Sequence, residues 1–226
     1  MVKILFFIFL FFLFRLQAQF DSYSENAWGS FVWKHKLSAK WGVISDVGYR
    51  TFDRFIGKRR QDLGRLIIER KLNNSHSLGI GLAYFESIKS SLSSYRSEFR
   101  PFFQYQFIKK SENSTFAIRF RNELRYYTDD NIFVDRSRIQ FSYEYKQSRL
   151  FTPKVSVEGF VSAQTKPLIE QRYSVGNSFT FNDRWSLYLY YTVQIQSNIV
   201  RNSKVLPQHI VGVQIILNTT KNEKQK

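Results

Sequence analysis

"RFRNELRYY", residues 119–127, sets Arg119, Arg121, Glu123 and Arg125 at every second position and Phe120, Leu124 and Tyr126 on the other parity. Successive side chains of a strand point to opposite faces, so a strand over these residues has one charged side and one apolar side. A water-soluble sheet turns the charges outward; a barrel in a bilayer turns them inward and gives the apolar side to lipid. The charges are expected to face a lumen, because the surrounding sequence repeats the pattern at the length and spacing of membrane strands.

In 96–108, Arg96, Glu98, Arg100, Gln104 and Gln106 oppose Phe99, Pro101, Phe103, Tyr105 and Phe107. In 135–146, Arg136, Arg138, Gln140 and Glu144 oppose Ile139, Phe141, Tyr143 and Tyr145. Lys154, Ser156 and Glu158 oppose Val155 and Val157, and Glu170, Arg172 and Ser174 oppose Tyr173 and Val175. In 76–86 the polar-side positions are small, Gly79, Gly81 and Ala83, against Leu78, Ile80, Leu82 and Tyr84. Such pieces of about 10 to 14 residues suit tilted strands that cross a bilayer. They are read at 27–37, 41–51, 61–72, 76–86, 96–108, 115–127, 135–146, 153–163, 170–181, 184–196 and 208–217. The expected fold is all-β, an antiparallel up-and-down transmembrane β-barrel of about 10–12 strands. Since single-chain bacterial barrels are even-numbered, ten or twelve is favoured, with residues 20–26 available as a short extra strand.

The connections alternate as well. Short turns near 38, 74, 111, 149 and 182 interleave with longer polar or basic loops at 52–60, 87–94, 128–134, 164–169 and 197–206. Short turns on one rim and long loops on the other characterise transmembrane barrels. Trp28, Trp33, Trp41 and Trp185 fall near segment ends, as do Tyr126, Tyr127, Tyr143 and Tyr145, which is where interfacial aromatic girdles are expected.

The N-terminus supplies an address. Lys3, an apolar run from Ile4 to Phe14 and Leu16-Gln17-Ala18 have the three parts of a secretory signal peptide. Its apolar run is too short for a helix that spans a bilayer. The expected organisation is a signal peptide over 1–18 cleaved near Ala18, a barrel domain over 19–218 and a polar tail over 219–226, with outer-membrane localisation. The formal charge is +16, or +14 without the two basic residues of the leader. An exported chain seldom meets nucleic acid, so lipid headgroups, anionic solutes or internal carboxylates are the partners to which this charge points. The chain has no cysteine, which excludes disulfide frameworks and thiolate metal clusters.

These residues resemble an uncharacterised bacterial outer-membrane-type β-barrel family, domain-of-unknown-function family twenty-four ninety. The likeness lies in "WKHKLSAKWGVISDVGYRTF" (33–52), in "GIGLAYFESI" (79–88) followed by "SEFRPFFQYQF" (97–107), and in "RNELRYY" (121–127). The resemblance implies a signal-led outer-membrane barrel and supplies no activity.

The candidate site is the lumen. Arg50, Arg65, Arg96, Arg100, Arg119, Arg121, Arg125, Arg136, Arg138 and Arg172 share the expected inner face with Asp46, Glu69, Glu98, Glu123, Glu144, Glu158 and Glu170. Surplus arginine makes a positive throat for small anionic solutes in a porin-like conduit, whereas pairing of Arg with Glu across neighbouring strands fills and plugs a narrow barrel. The function expected is therefore a structural envelope component or a narrow conduit for small anions. Two alternatives stay open: a lipid-modifying barrel enzyme, for which His35, His76 and His209 are the available bases, and a soluble periplasmic barrel that binds an anionic or hydrophobic ligand. No catalytic residue, metal site or cofactor is assigned. Asp129 and Asp130 in "YTDDN" are oxygen donors for a hard cation only in principle, since adjacent loop carboxylates usually just face water.

Overall fold

The computed structural model describes residues 24–51, 60–88, 95–163, 168–198 and 207–219. The leader, most of the expected long loops and the tail from residue 220 lie outside these residues. Eleven strands form the fold: β1 (Ser24–Lys36), β2 (Trp41–Thr51), β3 (Arg60–Lys71), β4 (His76–Ile88), β5 (Tyr95–Lys110), β6 (Ser114–Tyr127), β7 (Ile132–Tyr145), β8 (Thr152–Ala163), β9 (Leu168–Thr180), β10 (Trp185–Asn198) and β11 (Gln208–Asn218). No helix among the described residues is long and apolar enough to cross a membrane, which says nothing of strands.

Each strand pairs antiparallel with the next, and β1 closes the barrel against β11. That seam is parallel, with Ser24 opposite Gln208 and Lys34 opposite Asn218. Eleven strands fall within the expected 10–12, and the preference for an even count is corrected. In an up-and-down barrel an odd count sends first and last strands in the same direction, so closure has to be parallel. Ser24–Asn26 lengthens β1 and makes no separate strand.

The register fixes the width. A circuit of paired inward positions leaving Lys36 passes Glu69, Gln104, Arg121 and Phe160 and arrives at Gln196, two residues beyond Gln194. Gln194 pairs with Gln208, which faces Ser24. The circuit therefore closes about fourteen residues from its start, a stagger that for eleven strands corresponds to a tilt of roughly 45° and a backbone radius of roughly 11 Å. Long side chains from strands a few places apart can meet inside such a lumen.

The short turns carry their own chemistry. Asn73 Oδ1 accepts hydrogen bonds from the amides of Ser75 (2.8 Å) and His76 (2.9 Å), and Asn182 Oδ1 accepts from Arg184 (2.9 Å) and Trp185 (2.8 Å). These side chains stand in for backbone acceptors in a tight reversal. The β6–β7 connection is shorter than expected. It occupies only Thr128–Asn131, because Ile132–Val134 continue β7 with Val134 buried inward, and Asn131 takes the left-handed conformation (φ 51°) that closes the turn.

The faces settle the polarity. Phe120 is 41% and Leu124 42% exposed on the outer wall, whereas Arg121 and Glu123 on the same strand are 2% and 3% exposed. Ile68, Ile80, Phe103, Ile139, Tyr143, Val157 and Val213 extend the exposed apolar wall around the barrel. Two aromatic positions depart from the expected girdles. Trp28 and Tyr127 point inward, their inward register partners being Arg50 and Glu98 respectively, while Trp41 and Trp185 are exposed outside beside the short turns.

Glycines on the inner wall make room for large side chains on the neighbouring strand. A Cβ at Gly212 would overlap the Tyr190 ring, and one at Gly81 would overlap Phe102. Each pair is directly opposite in the register, so the lumen places a large residue beside an absent one.

Candidate functional site

The inward polar residues form a connected lumenal lattice. Glu123 is its hub: one carboxylate oxygen accepts from Arg136 Nη2 (2.6 Å) and Nε (3.1 Å), and the other lies 2.8 Å from Arg138 Nη2 and 3.6 Å from Arg121 Nη1. Arg138 also reaches Glu158 (3.5 Å), which Arg119 contacts at 3.1 Å and Arg172 at 3.9 Å. Arg172 pairs with Glu170 (2.5 Å) and donates to Gln194 Oε1 (2.9 Å). Arg121 gives both Nε (3.1 Å) and Nη2 (2.6 Å) to Gln104 Oε1. One network therefore runs from β5 to β10. Beside it, Glu98 holds Arg100 (2.6 Å) and Arg125 (2.5 Å), and Asp46 holds Arg65. A buried ion pair survives only with its lone pairs and protons mostly satisfied, and sharing Glu98, Glu123 and Glu158 each among two or three guanidiniums serves that, whereas Asp46 and Glu170 each hold a single arginine.

Aromatic rings link these clusters across the lumen. The Arg172 guanidinium lies 4.5 Å from the Phe160 ring of β8 and 5.1 Å from the Trp28 ring of β1. Arg50 sits 4.3 Å from that Trp28 ring and 5.6 Å from Phe85 of β4, and Arg100 of β5 is 3.6 Å from Phe85. Rings and cations thus alternate from β8 to β5 by way of β9, β1, β2 and β4. Guanidiniums stack on ring faces favourably when desolvated. We call this series the belt.

Toward the short turns the interior is wetter. Lys34 is exposed although on the inner face of β1, and Lys154 and Glu144 face each other at 3.9 Å with about a third of each side chain exposed (34% and 37%). Glu69 accepts a hydrogen bond from Ser77 Oγ (2.6 Å) on the neighbouring strand. Toward the long loops Arg96 pairs with Asp130 (2.9 Å) and stacks on Tyr127 (4.0 Å).

All the arginines and carboxylates assigned to the lumen from sequence lie on that inner parity, and most of them join the lattice. The sequence reading omitted the aromatic half: Trp28, Phe85, Phe102 and Phe160. Their signal is parity, since Phe85 continues the small-residue face of β4, Phe102 lies between Arg100 and Gln104, and Phe160 follows Glu158.

A family model described as "Protein of unknown function (DUF2490)" matches residues 25–204. The chain belongs to this family. The matched stretch contains every belt residue from Trp28 to Arg172. Comparison with curated proteins and with solved structures yields no match.

In this family member the three histidines lie on the outer wall, each beside a hydroxyl. His35 Nδ1 is 2.7 Å from Thr219 Oγ1, His76 Nδ1 is 2.6 Å from Tyr105 Oη, and His209 Nδ1 meets Tyr191 Oη. They sit on β1, β4 and β11, with His35 and His209 near opposite ends of the barrel seam. Asp129 and Asp130 are engaged within the rim: Asp130 by Arg96, and Asp129 by the Thr128 hydroxyl (3.2 Å). Among the described residues no group of three His, Cys, Asp or Glu is placed to hold a metal ion.

Proposed function

We propose that this protein is an integral outer-membrane barrel whose lumen is filled by the lattice and belt, making it a structural component of the envelope that attracts anions to its interior without forming an open pore. The observation that carries this reading is the polarity of the wall: charges buried inside and large apolar side chains exposed outside. That distribution suits a hydrocarbon solvent and would leave a free barrel in water with an apolar patch around its whole girth. The soluble-barrel alternative requires Phe120 and Leu124 in a core, and they are on the outer surface. The export leader expected at residues 1–18 supports the outer membrane as the bilayer concerned. Outer-membrane lipid is then the partner of the outer wall.

The test is the gel mobility of protein from washed outer membranes, compared before and after boiling. A faster unboiled band in that fraction is the expected result; a freely soluble protein without a shift would sink the proposal. A second reading, a narrow conduit for small anions, is favoured by exposed Lys34 and partly exposed Lys154 on the short-turn side of the lumen. It requires that Arg119→Glu reverse or abolish anion preference in single-channel recordings, and unchanged preference removes it.

A further inference from the structure

Arg50 differs from the other belt arginines. Arg172 and Arg100 each hold a carboxylate, Glu170 and Glu98, whereas Arg50 makes no ion pair among the described residues and donates only to Gln61 Oε1 at 3.2 Å. The guanidiniums that share its rings, Arg172 at Trp28 and Arg100 at Phe85, are both like-charged. The Trp28 ring centroid is 4.3 Å from the Arg50 guanidinium and 5.1 Å from that of Arg172, and its buried Nε1 has no hydrogen-bond acceptor. A guanidinium with no carboxylate partner among the described residues and an indole N–H without an acceptor therefore stand side by side.

We propose that Arg50 and the Trp28 indole N–H bind one small oxyanion of phosphate-type chemistry inside the lumen. A guanidinium fork matches two oxygens of such an ion, and the indole supplies a third, neutral donor. An anion here removes two costs together: a charge held among like charges and a buried donor without an acceptor. Spherical halide offers no matching pair of oxygens, so the site discriminates by shape as well as charge. The inference rests on the membrane-barrel reading, which makes this inner wall a closed lumen.

The experiment uses the full chain refolded in detergent, with inorganic phosphate titrated calorimetrically against chloride at matched ionic strength. One phosphate per barrel is expected to bind. Trp28→Phe, which keeps an aromatic ring and deletes the N–H, and Arg50→Gln, which removes the charge and leaves a shorter polar side chain, should each weaken it by about tenfold or more. Glu144→Gln in the wet vestibule should leave it unchanged. Phosphate heats indistinguishable from chloride, or undiminished binding in both Trp28→Phe and Arg50→Gln, would overturn the site. The mobility shift on boiling is read on the same samples. Loss of the shift in wild type is failure of the barrel reading, whereas a normal shift without phosphate binding is failure of this inference alone.

Discussion

Glu123 shows how much rests on single carboxylates in this lumen. It is buried, 3% exposed, and in contact with three guanidiniums. Glu123→Gln leaves Arg121, Arg136 and Arg138 with one full counter-charge fewer, and removing one partner of a buried ion pair costs about 3–5 kcal/mol. The expected outcome is conversion of the folded gel band at a markedly lower temperature or urea concentration. Glu144→Gln is the contrast: its partner Lys154 is 3.9 Å away and both are partly exposed, so the change should cost no more than about 1 kcal/mol. Equal losses in the two variants would mean that the lattice is no more desolvated than the vestibule. At this scale the sequence was most readable where charge and grease alternate strictly, as at Arg119 to Arg125. It was least readable at "RPFFQYQF", where Phe102 and Phe103 are chemically identical and only continuous parity from Arg100 tells that the first points inward and the second outward.

Strand pairs bring in a constraint of shape. Gly212 of β11 lies opposite Tyr190 of β10, and Gly81 of β4 opposite Phe102 of β5. Gly212→Ala puts a methyl group into the space of the Tyr190 ring and should destabilise by about 1–3 kcal/mol through overpacking. In the background of Tyr190→Ala the same change should cost little, so the double-mutant cycle is expected to be strongly non-additive. Additive effects would place the ring elsewhere. Periodicity located these strands to within a few residues, because the outer wall must stay apolar along its length. It did not locate the end of β6–β7, since nothing in "TDDNIF" shows from sequence that the reversal closes in four residues at Asn131. Trp28 and Tyr127 near strand ends were read as girdle residues for a related reason: an aromatic residue close to a rim suits lipid interface and lumen equally well until its register partner is known.

For the whole barrel, the outer wall and the direction of the strands govern behaviour. Ile139, near the middle of β7, is 41% exposed on that wall. Ile139→Arg should cost about 2–4 kcal/mol if it faces the bilayer midplane, read as reduced membrane insertion and earlier band conversion, whereas water outside the barrel would make it nearly neutral. The chain contains no cysteine, so single cysteines report topology without background. Glu112→Cys sits in the short β5–β6 turn and Asn131→Cys on the opposite rim. A membrane-impermeant thiol reagent applied to intact cells should label the second and spare the first; the reverse pattern would invert the barrel. Closure was the least legible property of all, because the pairing of β1 with β11 depends on residues about 184 positions apart, such as Ser30 and Gln214.

The parallel seam has a consequence for rewiring the chain. β1 starts at the long-loop rim and β11 finishes at the short-turn rim, so Ser24 and Asn218 stand on opposite sides of the wall, separated by the height of a tilted strand of eleven residues, roughly 25 Å. In an even-stranded barrel both ends share a rim and a few residues suffice to splice them. In the membrane barrel proposed above, a circular permutant would need a linker that crosses the hydrocarbon layer or threads the lumen. Both routes are closed to a flexible polar peptide, so this barrel can be cut open at its loops but not re-joined at its seam.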